Sequence, residues 1–170
     1  MNKLLVVVDM QKDFIDGSLG SKEAELIVPN VKKKIEEYLI AGDEVIFTLD
    51  THENNYLDTQ EGKHLPVIHC IKGTAGWELD DSLKEFSGKR FEKNTFGSPA
   101  MGSYIGEGTY ESIELIGVCT DICVISNAML LKAFFPEIPI MVDSTCCAGV
   151  TPASHENALN AMKMCQITIL

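Results

Sequence analysis

The 170-residue chain is predicted to be α/β: one domain over residues 1–170, a three-layer α/β/α sandwich around a six-stranded parallel sheet. Three observations predict it. Short apolar runs recur at 4–8, 45–49, 113–116 and 140–142, the pattern of strands covered on both faces. Amphipathic segments alternate with them, so the strands are joined by helical crossovers. Three of the runs end on a carboxylate (Asp9, Asp50, Asp143), and ligands of such sheets bind at the carboxyl ends of the strands.

Leu-Leu-Val-Val-Val at 4–8 is rich in β-branched residues and stops at Asp9. Residues 11–20 hold Asp13, Asp16-Gly17 and Gly20 and read as a loop, with Phe14 placed to line whatever lies above the sheet. Pro29 is expected to open a helix with Val31, Ile35, Tyr38 and Leu39 inward, Lys32 to Lys34 on a solvated face, and Gly42 as its stop. Strand 45–49 runs into Asp50, and His52 lies two residues further on. Residues 53–76 lack a sustained period and form a long loop holding His64 and His69; such loops in compact domains tend to carry function.

Residues 82–86 suggest a short helix, 89–91 a strand from whose end Lys93 emerges, and 99–105 a helical turn broken by Gly106-Glu107-Gly108. After strand 113–116 a helix over 123–135 is stopped by Pro136 and Pro139. Strand 140–142 ends on Asp143. Thr151-Pro152 has the cap-then-proline form of a helix start, with Ala158, Ala161, Met162 and Cys165 on one side, and 166–170 closes the chain as a strand.

A net charge of −11 argues against a nucleic-acid or anionic-membrane surface, since both need clustered positive charge. Only five consecutive apolar residues precede Asp9, so neither a secretory signal nor a membrane span is expected, and the cytoplasm is the expected compartment. There the six cysteines, which lack zinc-finger spacing, should be thiols. Cys146-Cys147 reads as core.

Gly117-Val118-Cys119-Thr120-Asp121-Ile122-Cys123-Val124 reads as a strand end, a tight turn and a helix opening at Cys123. A thiol at a helix start faces unpaired N–H groups and the positive end of the helix dipole, which favour the thiolate. Cys123 is therefore a candidate nucleophile. Cys119 reads as a small turn residue, because its Cys-x3-Cys spacing differs from the redox Cys-x2-Cys motif. Asp9, Asp50, Lys93 and Cys123 each come after a different strand at one end of the sheet, which points to a functional site there.

These residues carry a resemblance. Val8-Asp9-Met10-Gln11 with Asp13-Phe14, Asp50-Thr51-His52, Lys93-Asn94-Thr95-Phe96-Gly97-Ser98 and the stretch 117–124 together resemble the isochorismatase-like cysteine hydrolases, and within them the nicotinamidases. The resemblance implies the isochorismatase-like, Rossmann-like fold and a catalytic triad of Asp9, Lys93 and Cys123. It also implies a cis Val118–Cys119 peptide and an oxyanion hole made by the backbone N–H groups of Cys119 and Cys123.

By the same resemblance Asp50, His52 and His69 would bind one divalent ion, zinc, iron or manganese, all compatible with imidazole and carboxylate ligation. The chain has Asp58 where some members place a further histidine, and Glu61 and His64 are also available as ligands. The implied activity is hydrolysis of nicotinamide to nicotinate and ammonia. Another amide or ureide hydrolase and a non-catalytic binding module are the alternatives. A small carboxamide and further copies of the chain are the expected partners. Phe14, Phe96 and Trp77 are candidates to flank an aromatic substrate ring.

Overall fold

The computed structural model describes residues 2–170. Its elements are β1 (Asn2–Val8), α1 (Lys12–Ile15), α2 (Lys22–Ala41), β2 (Glu44–Asp50), α3 (Gln60–His64), β3 (Lys89–Lys93), α4 (Pro99–Gly106), β4 (Tyr110–Val118), α5 (Ile125–Phe134), β5 (Ile140–Ala148), α6 (Pro152–Met164) and β6 (Thr168–Ile169). The six strands form one parallel sheet in the order β3-β2-β1-β4-β5-β6. The order reverses direction between β1 and β4, where a crevice opens at the carboxyl ends of the strands.

Alternate residues of β1 supply two cores. Leu4, Val6 and Val8 pack with Met101 and Ile105 of α4, Ala128 and Leu131 of α5, and Leu159 and Met162 of α6. Leu5 and Val7 pack on the other face with Ala24, Ile27, Val31 and Ile35 of α2. Each such aliphatic side chain contributes about 1.5–3 kcal/mol by leaving water, and covering both faces explains why the strands read as unbroken apolar runs.

Several local expectations are corrected. Helix α2 starts not at Pro29 but at Lys22, capped by Ser21, whose hydroxyl accepts the Ala24 N–H at 3.1 Å, and Pro29 lies inside it. The missing N–H there costs about 3 kcal/mol, offset by the buried stripe from Ala24 to Tyr38 that continues through it. Leu39 is exposed, whereas Lys34 leaves the solvated face to reach Glu114 at 2.9 Å and Asp143 at 2.8 Å.

Residues 81–85 form turns rather than a helix, and α1 and α3 add short helices to segments expected as loop. On α6 it is Leu159, with Ala158 and Met162, that is buried; Ala161 and Cys165 are exposed. Asp143 does not end β5. That strand pairs Val142 with Leu115 and then Cys147 with Gly117, so residues 143–146 bulge and the strand continues to Ala148.

Gly117 sits at φ 118°, and a Cβ there would lie 2.1 Å from the Val8 carbonyl oxygen. Only glycine lets β4 approach the end of β1 so closely. Gly117→Ala is expected to cost at least about 2–3 kcal/mol, read as a lowered denaturation midpoint at unchanged m value.

Candidate active site

Asp9, at φ 49° directly after β1, is fully buried. Its Oδ1 accepts the Thr48 hydroxyl at 2.7 Å, and Lys93 Nζ, from the last residue of β3, lies 2.7 Å from Oδ2. The same ammonium donates to Cys123 Sγ at 3.4 Å and stands 3.8 Å from Asp50 Oδ1. Three residues far apart in sequence therefore meet through one buried lysine at the β1/β4 crevice.

Burial pushes the Asp9 carboxyl above its ordinary value, with Lys93 opposing and Asp50 adding to the rise. Burial disfavours the Lys93 ammonium, but the carboxylates beside it, Asp9 first and then Asp50, outweigh it and raise its pKa. At Cys123 burial opposes the expected thiolate. Burial, then the neighbouring Asp9 charge, pushes the thiol well above its ordinary range despite Lys93. Cys123 lies in a π-helical turn, Thr120–Val124, that runs directly into α5 at Ile125, so the helix opens three residues before the expected position. Burial thus favours the uncharged forms of Cys123 and Asp9, and the Lys93 ammonium opposes it at both. The Val118–Cys119 peptide is cis.

Next to this group Asp50, His52, Glu61 and His69 each offer a ligand atom, all within 4.8 Å of one another. Asp50 Oδ2 lies 2.9 Å from His52 Nε2 and 3.2 Å from His69 Nε2, and Glu61 Oε1 lies 3.7 Å from both ring nitrogens. Burial would raise the Asp50 carboxyl, but hydrogen bonds from His52 and His69 outweigh it and lower its pKa. His69 Nδ1 donates to the Val67 carbonyl at 2.7 Å, which orients the ring with Nε2 toward the cluster.

Two imidazoles and two carboxylates suit zinc, iron or manganese. Tyr56 packs against both imidazoles, with centroids 4.7 and 4.9 Å away. A Cβ on Gly62 would lie 2.1 Å from the Tyr56 carbonyl oxygen, so glycine allows α3 to bring Glu61 in. Asp58 and His64 are not members of the four-residue cluster.

A cavity of about 1460 Å³ opens above both groups, lined by Phe14, Phe96, Cys119 and Cys123 as well as by the Asp50, His52, Glu61 and His69 cluster. Trp77 is not among its lining residues. Its indole N–H donates to Thr51 Oγ1 at 2.9 Å, which makes it a brace for the loop after β2.

Several supporting side chains have no role that the sequence alone reveals. Gln11 Nε2 donates to the Asp50 and Trp77 carbonyls at 2.8 Å each, and its Oε1 accepts the Asp50 N–H at 2.8 Å. Asp13 Oδ2 accepts the Cys70 N–H at 2.7 Å, anchoring the chain just after His69. Asn127, fully buried, donates to the carbonyls of Cys123 (2.8 Å) and Phe96 (3.1 Å) and accepts the Ser98 N–H at 2.9 Å. Gln11 and Asp13 lie within the N-terminal motif that begins at Val8. For Asn127 the one available signal is its position a helical turn after Cys123.

The sequence matches the isochorismatase domain over residues 3–170. It is 29% identical to the probable inactive nicotinamidase At3g16190 of Arabidopsis thaliana over 177 residues, 95% of this chain and 88% of that one. The fold superposes on the pyrazinamidase of Pyrococcus horikoshii in complex with zinc with a TM-score of 0.88 at 25% identity, covering 100% and 99% of the two chains. It also superposes on N-carbamoylsarcosine amidase from Thermoplasma acidophilum with a TM-score of 0.81 at 25% identity, covering 99% and 95%.

Proposed function

The chain belongs to the isochorismatase family, and we propose that it is a cysteine amidohydrolase that cleaves nicotinamide to nicotinate and ammonia through a thioester on Cys123. The observation that carries this reading is the contact of Lys93 with both Asp9 and Cys123 on the floor of a cavity shared with a two-histidine, two-carboxylate cluster.

In the proposed mechanism Asp9 takes the Sγ proton as the sulfur attacks the carboxamide carbon, so the thiolate forms only as it is consumed. Lys93 offsets the charge passing between the two groups. The backbone N–H groups of Cys119 and Cys123 receive the oxyanion; each such donor contributes about 3–4 kcal/mol in comparable sites. Asp9 then protonates the departing amine, the C–N bond breaks and ammonia leaves. Water next attacks the thioester, Asp9 accepting its proton and returning it to sulfur as the S–C bond breaks and nicotinate forms.

Asp50, His52, Glu61 and His69 would hold a divalent ion. Such an ion, when bound, supplies a coordination position for a ring nitrogen. Phe14 and Phe96 flank the ring. A second reading, another amide or ureide hydrolase, draws on the likeness to N-carbamoylsarcosine amidase.

Ammonia release from nicotinamide, benzamide and an N-carbamoyl amino acid separates these readings: nicotinamide is expected to be turned over fastest. Release from the N-carbamoyl compound alone would favour the second. The pH profile is a further test of Asp9. Because the base must be ionised and its pKa is raised in the folded site, activity should be lost on acidification at a pH above the ordinary carboxyl value of 3.8. The acid limb of kcat/KM and the rate of Cys123 alkylation should fall together. A limb at or below 3.8 would remove Asp9 from the role.

A further inference from the structure

We infer that this site selects carboxamides bearing no anionic group and rejects carboxylate-bearing amides, N-carbamoyl amino acids among them, by charge. The inference deepens the function proposed above and rests on it.

The chain contains a single arginine, Arg90. Its guanidinium donates to the Lys84 carbonyl at 3.4 Å, and it does not line the cavity. No bidentate guanidinium is therefore present to receive a carboxylate. Among the described residues Lys93 is the one lysine lining the cavity, and its ammonium is already engaged with Asp9, Asp50 and Cys123.

Against this one committed cation stand four lining carboxylates, Asp50, Glu53, Glu61 and Glu92. A divalent ion would offset Asp50 and Glu61, and Glu92 is paired with Lys72, which does not line the cavity, so Glu53 is left facing the same space. A substrate carboxylate would lose hydration there and gain no protein cation in exchange. Space is not what would exclude it, since about 1460 Å³ leaves room for a ring substituent.

The test uses nicotinamide and a matched pair of nearly equal shape: pyridine-3,5-dicarboxamide, which is neutral, and 5-carbamoylpyridine-3-carboxylate, which is anionic. With the full chain at low salt, the neutral compound is expected within about tenfold of nicotinamide in kcat/KM and the anionic one at least about 100-fold below its partner, a gap that narrows at high salt. Glu53→Gln, which leaves the Lys72–Glu92 pair in place, should raise the anionic-to-neutral ratio by about threefold. Equal kcat/KM for the pair overturns the inference.

Calorimetric binding of the same pair to chelator-treated protein removes any ion-borne attraction and is read independently of turnover. Weaker binding of the carboxylate supports the inference, and equal or tighter binding refutes it. If no amide is hydrolysed, the proposed function fails and this binding comparison alone decides. Hydrolysis of the N-carbamoyl compound without hydrolysis of nicotinamide refutes both.

Discussion

Cys123→Ala is expected to abolish amide hydrolysis, lowering kcat by at least about 10⁴-fold, while the protein stays folded. Under the proposed mechanism the sulfur is the covalent partner of the acyl carbon, so no other group can form the thioester; a 10⁴-fold loss corresponds to about 5 kcal/mol of transition-state stabilisation. The structural cost is small, because one sulfur atom is deleted from a turn whose backbone is held by the Asn127 bond to the Cys123 carbonyl and by the Val124 N–H to the Cys119 carbonyl.

Truncating Lys93 is a poorer test. It would leave Asp9 as a buried, unpaired charge, and breaking a pair of that kind costs about 3–5 kcal/mol, so lost activity and lost folding would be confounded. The check on Cys123→Ala is ammonia release together with the circular dichroism spectrum and the denaturation midpoint. A folded variant with comparable turnover would end the covalent mechanism.

His52→Ala is expected to reduce bound divalent metal and to lower nicotinamide kcat/KM by about 100-fold or more, with a much smaller loss for benzamide. His52 lies within 3.7 Å of Glu61 and 2.9 Å of Asp50, so its removal takes one of four donors from the cluster without touching Asp9, Lys93 or Cys123 directly. Benzamide has no ring nitrogen, and the residues that would hold an ion can position it only through the rest of the ring. It should be a poor substrate to begin with and have little more to lose. Metal content by elemental analysis and the two kcat/KM values are the measurements. Equal losses for both substrates would show that the cluster supports the loop after β2 instead of orienting the ring.

Much of the site was legible because its residues are attached to strongly patterned elements. Asp9, Asp50 and Lys93 each lie at or just beyond the end of a strand, and a parallel sheet delivers all its carboxyl ends to one side, so the residues at those strand ends locate the crevice. The same rule misled at Asp143. That run also stops at an acid, yet the strand bulges and continues, and Asp143 is tied to Lys34 and Thr145. A bulge leaves no period-2 signature and depends on pairing with β4. At Cys123 the sequence pointed to a helix start and so to a thiolate; deep burial beside Asp9 opposes that, an effect with no local signature.

By itself, then, the sequence determined the α/β class, the parallel sheet and the candidates Asp9, Lys93 and Cys123, because alternating apolar strands and amphipathic helices are local patterns with one packing solution. Tertiary structure decided what each candidate touches. Glu61 joins Asp50, His52 and His69 because Gly62 lets α3 press against Tyr56, and Trp77 is removed from the cavity by its bond to Thr51. It also decided the electrostatic surroundings of the site, since a pKa depends on burial and on neighbours tens of residues away, and no local run of residues encodes either.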